Sequence, residues 1–294
     1  MNLLPTDVVR QFTEVATSDD PSLATPALLI ARLGYPHLDP GPYLSRLEEM
    51  GDTAASRLRA TDPPTAPRGP IDGLNRFLFE DQGFSGNTDD YDDPRNSFLN
   101  QVLDRRTGIP ITLAVVYIEV ARRAGIRVDG VNFPGHFLLR FPFGPQDDNE
   151  SAVFVDPFHG GTVLSEDDCR ALLKKHTGNR VTFAPQLLGP ATKQQILVRM
   201  LGNLKRLYVR MRSFPQGHAI TDLLLAINPT ALTELRDRGL LSYHINDYAA
   251  ALRDLEAYLK YSSRNKDNGE ESKEERNEIW GHVKALRRRI ANLN

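Results

Sequence analysis

The chain has 294 residues, of which 40% are hydrophobic and 25% charged, which fits a globular protein and excludes collagen-like, fibrous and wholly disordered classes. The 36 basic and 38 acidic residues nearly cancel, so no overall positive field favours nucleic acid or an anionic membrane as a partner. The apolar runs are shorter than the roughly 20 residues of a membrane span, and the first residues lack a signal-peptide pattern. The single cysteine, Cys169, cannot form an internal disulfide. We therefore expect a cytoplasmic protein.

The N-terminal region is predicted to be helical. Its apolar spacing predicts three helices, over Pro5 to Ala16, Pro26 to Leu33 and Pro42 to Leu58. Four prolines between Ala60 and Pro70 forbid regular structure and predict a connector. Residues 1–70 are therefore interpreted as a helical segment that ends in a Pro-rich connector.

A long helix is predicted near the middle of the chain. A short helix over Ile71 to Phe79 precedes an acidic loop, Asp81 to Pro94, which lacks the glycine and glutamate of a calcium-binding loop. Gly108 stops the next short helix, and Pro110 starts one that runs to Ala124. Since this helix is apolar almost all round, we expect it to be central and buried.

Three strands are predicted after this helix, and helices after them. The strands are Arg127 to Phe133, His136 to Phe141 and Ala152 to Asp156, with the polar segment Gly144 to Asn149 before the third. Ser165 and Asp168 have the spacing of a capping box that starts a helix over Cys169 to Lys175. Residues 71–190 are thus predicted to form an α+β core with an antiparallel sheet.

The C-terminal region, residues 191–294, shows only helical patterns. Aromatic and small residues recur about 34 residues apart, as they do in tetratricopeptide repeats. The predicted helices are two pairs and a final capping helix: Ile196 to Met211 with Gly217 to Ile227, Ala231 to Tyr243 with Tyr248 to Tyr261, and Glu278 to Leu293. Stacked helix pairs of this kind present a groove for a peptide or a helix.

The candidate catalytic residues are His136 and Asp156. Antiparallel neighbouring strands can bring this imidazole next to this carboxylate, which would orient the ring and raise its basicity. A nucleophile at the start of the central helix would complete a triad.

Four motifs occur in order along the chain: Leu74–Phe84 (LNRFLFEDQGF), Asp92–Ser97 (DDPRNS), Leu103–Leu113 (LDRRTGIPITL) and Phe133–Phe137 (FPGHF). Together they resemble the SirB-type family of bacterial proteins, which combines a transglutaminase-like, papain-related core with tetratricopeptide-like helices. The resemblance implies that fold, with His136 and Asp156 at the positions of the family's histidine and aspartate. It also implies a cysteine near 110–112, where this chain reads Pro-Ile-Thr.

Without that cysteine, the sequence leaves two functions open. The first is a non-catalytic or divergent protein that acts in protein–protein interaction or regulation, with a protein or peptide bound by the helical tail. The alternative is a divergent hydrolase or acyl transferase that uses the His136–Asp156 pair, with Thr112 or Cys169 as its nucleophile.

Other polar residues near these motifs are assigned lesser roles. Asn96 and Asn100 are candidates to line a pocket with amide donors, and His159 is interpreted as a loop histidine. No cofactor or metal is expected, because no His/Cys cluster has zinc-ligand spacing and no glycine-rich phosphate loop occurs.

Overall fold

The computed structural model describes residues 4–60, 68–142, 152–263 and 270–291. Its contacts group the chain into two compact units, one of Met1–Thr13 with Leu201–Asn294 and one of Glu14–Met200. The boundaries at residues 70 and 190 remain predictions. Most of the predicted connector, 61–67, and the polar segment Gly144 to Asn149 lie outside the described residues.

The N-terminal helices are α1 (Thr6–Thr17), α2 (Ala24–Ala31) and α3 (Gly41–Ala60), all close to their predicted bounds. The predicted helix ending at Phe79 is in fact α4 (Gly69–Asn75) followed by a π-helix (Arg76–Asp81). The spacing of apolar residues does not reveal the change from α-helix to π-helix, because the extra residue in each π-turn is not marked by a particular residue type.

The central helix is α6 (Pro110–Arg123), and its residues from 110 to 121 are all buried. It follows α5 (Leu99–Arg105). The predicted acidic loop contains a two-residue strand, β1 (Ser85–Gly86), which pairs in parallel with β2 (Thr107–Gly108). A 3-10 turn, Pro94–Ser97, begins at the last residue of this loop. The loop is therefore attached to the segment that leads into α6.

A four-stranded antiparallel sheet follows, in chain order β3, β4, β5 and β6. The strands are β3 (Asp129–Val131), β4 (Leu138–Phe141), β5 (Val153–Asp156) and β6 (Thr162–Leu164). The register places Leu139 opposite both Gly130 and Val155. Strand β6 was not predicted, because three residues after a Gly-Gly turn are too few to show alternation.

Helix α7 (Glu166–Thr177) covers an apolar cluster on this sheet. Ser165 and Asp168 form the predicted capping box, with the Ser165 N–H 2.9 Å from a carboxylate oxygen of Asp168. The buried members of the cluster are Val131, Phe133, Leu138, Phe154, Cys169, Leu173 and Leu188. Burial of these side chains is what holds α7 on the strands.

The C-terminal helices are α8 (Lys193–Arg210), α9 (Phe214–Ile227), α10 (Leu232–His244), α11 (Tyr248–Ser262) and α12 (Glu270–Ala291). The last helix starts at Glu270 rather than Glu278, because its first turns are charged and carry no apolar stripe. Helices α10 and α11 pack closely at Gly239, where a Cβ would lie 2.7 Å from Leu255 Cδ2. Among the described residues, no helix has both the length and the apolar character that a bilayer span demands.

Candidate functional site

His136 lies in a tight turn just before β4. Its N–H donates to the Phe133 carbonyl at 3.0 Å, and the ring is almost fully buried, with 4% of the residue exposed. Gly135 has a φ of +76°, and a Cβ there would lie 2.5 Å from the Cβ of His176 in α7. Only glycine satisfies both conditions, so the turn that carries His136 is fixed against the end of α7.

His136 and Asp156 form a hydrogen-bonded pair. Nε2 of His136 lies 2.9 Å from Oδ1 of Asp156, which ends β5. The same oxygen accepts the Phe158 N–H at 2.9 Å, so an Asx turn holds the carboxylate in place. The predicted neighbours are therefore within hydrogen-bond reach.

The pair has a defined proton arrangement. Burial alone would raise the pKa of Asp156, but hydrogen bonds and charge from His136 and then His159 bring it below its ordinary value. Because an ionised carboxylate only accepts, Nε2 of His136 carries the proton in the neutral ring and Nδ1 holds the lone pair. Among the described residues the hydrogen bond of the His136 ring is made by Nε2, so Nδ1 can serve as the base of the pair.

Two more imidazoles surround this pair. Nδ1 of His159 lies 2.7 Å from Oδ2 of Asp156, and 52% of the His159 side chain is exposed. The ring of His176 stacks on His136, with centroids 5.4 Å apart. Burial, and then the neighbouring His136, lower the pKa of His176. The sequence predicted His159 as a loop histidine and gave no role to His176. The Asp-x-x-His spacing at the end of a strand could have indicated the contact between His159 and Asp156. No local pattern indicates that His176 stacks on His136.

Thr112 is buried at the start of α6 and is fully engaged there. Its hydroxyl donates to the Asn96 carbonyl at 2.7 Å and accepts the Ile109 N–H at 3.2 Å. A Cβ at Gly108 would lie 2.8 Å from this oxygen, so the hydroxyl is tightly enclosed. These contacts are those of a residue that secures a helix N-terminus.

Cys169 lies in α7, beneath the sheet, with none of its surface exposed. Burial raises the pKa of its thiol to about 12, and the nearby charge of Asp168 contributes in the same direction. The dipole at the start of α7 is outweighed by loss of solvent. The chain's single thiol is therefore un-ionised at neutral pH.

Asn96 and Asn100 are both buried, with 0% and 2% of each residue exposed. The Asn96 amide donates to the Asp90 carbonyl at 2.7 Å, and its oxygen accepts from Asn87 at 3.0 Å. This side chain holds the acidic loop in place. The Asn100 oxygen is buried and has no hydrogen-bond partner among the described residues.

Two family models together match residues 42–276, apart from residue 203. The model of the transglutaminase-like superfamily matches residues 42–202, and that of the tetratricopeptide repeat matches residues 204–276. The chain is thus a transglutaminase-like protein in which tetratricopeptide-like helices follow the α+β core in sequence, which confirms the predicted fold class.

Similar protein sequences identify the family to which the chain belongs. A UPF0162 protein of Xylella fastidiosa is 39% identical over 254 residues, covering 85% of this chain and 88% of that protein. A UPF0162 protein of Vibrio cholerae is 30% identical over 186 residues, covering 63% and 67% of the two chains. The chain belongs to the UPF0162 family, which confirms the SirB-type resemblance. F-box only protein 21 of Homo sapiens is 35% identical over 181 residues, covering 60% of this chain and 28% of that protein.

Proposed function

We propose that this protein is a binding protein built on a transglutaminase-like fold. Its core performs no thiol transfer, and its tetratricopeptide-like helices bind a protein or peptide partner in the cytoplasm. The state of both candidate nucleophiles supports the first part. The Thr112 hydroxyl is bonded to backbone groups, and Cys169 is sealed in an apolar cluster with a raised pKa.

The observation that carries the proposal is a groove within the unit that contains the tetratricopeptide-like helices. It has a volume of about 590 Å³, and its walls come from α9, α10 and α11 together with residues 4–9. Apolar wall residues include Pro215, Ala219, Leu235 and Ala250. The lining also includes the charged residues Asp222, Arg238 and Arg253. Grooves between stacked helix pairs bind extended peptides and helices, so this groove suits a partner that has both apolar anchor residues and polar groups.

An ionic network of partly buried side chains links the helices that form the groove. The Arg238 guanidinium lies 3.1 Å from Asp222 and 2.6 Å from Asp254, and so joins α9, α10 and α11. Burial alone would raise the pKa of Asp222, but His218 and Arg238 bring it below its ordinary value. Because Arg238 and Asp222 already pair with each other, these two lining residues need no reorganisation when a partner binds.

A matched pair of groove variants tests the proposal. Ala250 lines the groove, whereas its neighbour Ala249 is exposed and lies outside it. The bait is the full chain, because residues 4–9 form part of the wall. Proteins captured from extracts of the source cells should bind wild type and Ala249→Trp equally, and Ala250→Trp at least about tenfold more weakly. Equal capture by Ala250→Trp, or no capture by wild type, contradicts the proposal.

A second candidate function is hydrolysis that uses His136 as a general base. The lone pair on Nδ1 favours it, since Asp156 fixes the proton on Nε2. With Thr112 and Cys169 engaged elsewhere, the nucleophile of such a reaction would be water. Hydrolysis of an ester or amide panel that persists in Cys169→Ala and disappears in His136→Ala supports it, whereas loss in Cys169→Ala contradicts it.

A further inference from the structure

Three side chains bring potential metal ligands to one point on the core. One ring nitrogen of His136, one of His159 and a carboxylate oxygen of Asp156 all lie within 4.8 Å of one another. The nitrogens that face Asp156 are Nε2 of His136 and Nδ1 of His159. His136 and Asp156 are buried, and His159 is exposed. The residues come from the turn before β4 and from the end of β5, so their separation in sequence hides the cluster.

We infer that this cluster is a binding site for a divalent transition-metal ion, such as zinc or iron(II). Two imidazole nitrogens and one carboxylate are the donor set of many open sites for these metals. At present Asp156 bridges the two rings, with contacts of 2.9 Å to His136 and 2.7 Å to His159. A metal ion takes the place of the two ring protons that point at the carboxylate.

Ligation requires only a change of tautomer in each ring. In a neutral imidazole the proton moves to the other nitrogen, Nδ1 in His136 and Nε2 in His159, so no net proton is released. The ion's double positive charge is met by one negative carboxylate. Since His136 then carries its proton on Nδ1, a bound metal removes the lone pair that a general base needs.

The surroundings hold the ligands at short range. Gly135 fixes the turn of His136 against α7, and the Phe158 N–H at 2.9 Å orients Asp156. The stacked His176 ring, 5.4 Å away, limits rotation of His136. The exposed side of His159 leaves room for water to complete the coordination. This inference is independent of the groove formed by the C-terminal helices.

The test uses the full chain freed of metal with a chelator. Cobalt(II) is titrated and followed by its visible absorption, and zinc affinity is measured by competition with a coloured chelator. Wild type should bind one ion per chain. His159→Gln removes one ligand at an exposed ring and leaves the core intact. It should weaken metal binding about 100-fold, which is as large as the greatest losses seen when a residue that only supports a ligand is removed. Circular dichroism checks that this variant is folded.

The control is His37→Gln, which removes an exposed imidazole of the same unit. Its affinity should equal that of wild type. The assignment is overturned if wild type binds no stoichiometric ion, if His159→Gln binds as tightly as wild type, or if His37→Gln weakens binding equally, since surface imidazoles would then account for the ion.

Discussion

Replacing Asp156 by asparagine tests the pair at the centre of the core. The amide keeps one acceptor oxygen for His136 and Phe158, but it turns an NH₂ group toward Nδ1 of His159. A buried charge-assisted hydrogen bond worth about 1.5–3 kcal/mol becomes a neutral one worth about 1 kcal/mol. The bond to His159 also becomes a neutral one, in which the amide NH₂ donates to Nδ1, and its contribution is small because that ring is half exposed. We expect a loss of about 2 kcal/mol of unfolding free energy at neutral pH.

The effect should depend on pH. Because the folded-state pKa of Asp156 lies below its ordinary value of 3.8, its stabilising contribution is complete above that value and disappears as pH falls through the folded pKa. The difference between wild type and Asp156→Asn should therefore shrink in acid. Urea unfolding followed by circular dichroism at several pH values measures it. Asp52→Asn, at an exposed carboxylate, should stay within about 0.5 kcal/mol of wild type. If Asp156→Asn matched this control at neutral pH, the reasoning about the pair would be refuted.

Three further substitutions have defined costs in urea unfolding. Ser165→Ala removes the cap of α7 and should cost about 1 kcal/mol, so an unchanged midpoint would argue against the capping box. Gly135→Ala should cost at least about 2 kcal/mol, since it adds a clash with α7 to an unfavourable φ. Gly178→Ala, at a φ of +58° but in open space, should cost about 1 kcal/mol. Equal costs would contradict the close approach of Gly135 to His176 in α7. Glu119→Gln should cost about 3 kcal/mol, because this buried carboxylate accepts the Leu23 N–H and pairs with Arg123. A loss under about 1 kcal/mol would contradict that pairing.

The contact between His136 and Asp156 and the order of the main elements could be predicted from the sequence, because both follow from local patterns and strand pairing. His136 stands before one strand and Asp156 ends the next, and antiparallel pairing of β4 and β5 brings those two ends together. The capping box at Ser165 and Asp168 is local and equally readable.

Other parts of the site depend on packing between distant segments. His176 reaches His136 only because Gly135 lets α7 approach the turn. Cys169 is buried by residues that are spread in sequence between Val131 and Leu188. From the sequence, only its position near a helix start was visible, and that position suggested an activated thiol. A thiol's ionisation is decided by its surroundings, which one-dimensional patterns do not contain.

The proposal that the core performs no thiol chemistry is tested most directly by the alkylation rate of Cys169. The folded full chain is treated with iodoacetamide at neutral pH, and intact mass is followed for wild type and His136→Ala. Burial and a pKa of about 12 predict slow labelling in both proteins, becoming fast only after unfolding in guanidinium. Fast labelling of folded wild type that is lost in His136→Ala would reveal a thiol–imidazole couple and contradict the account.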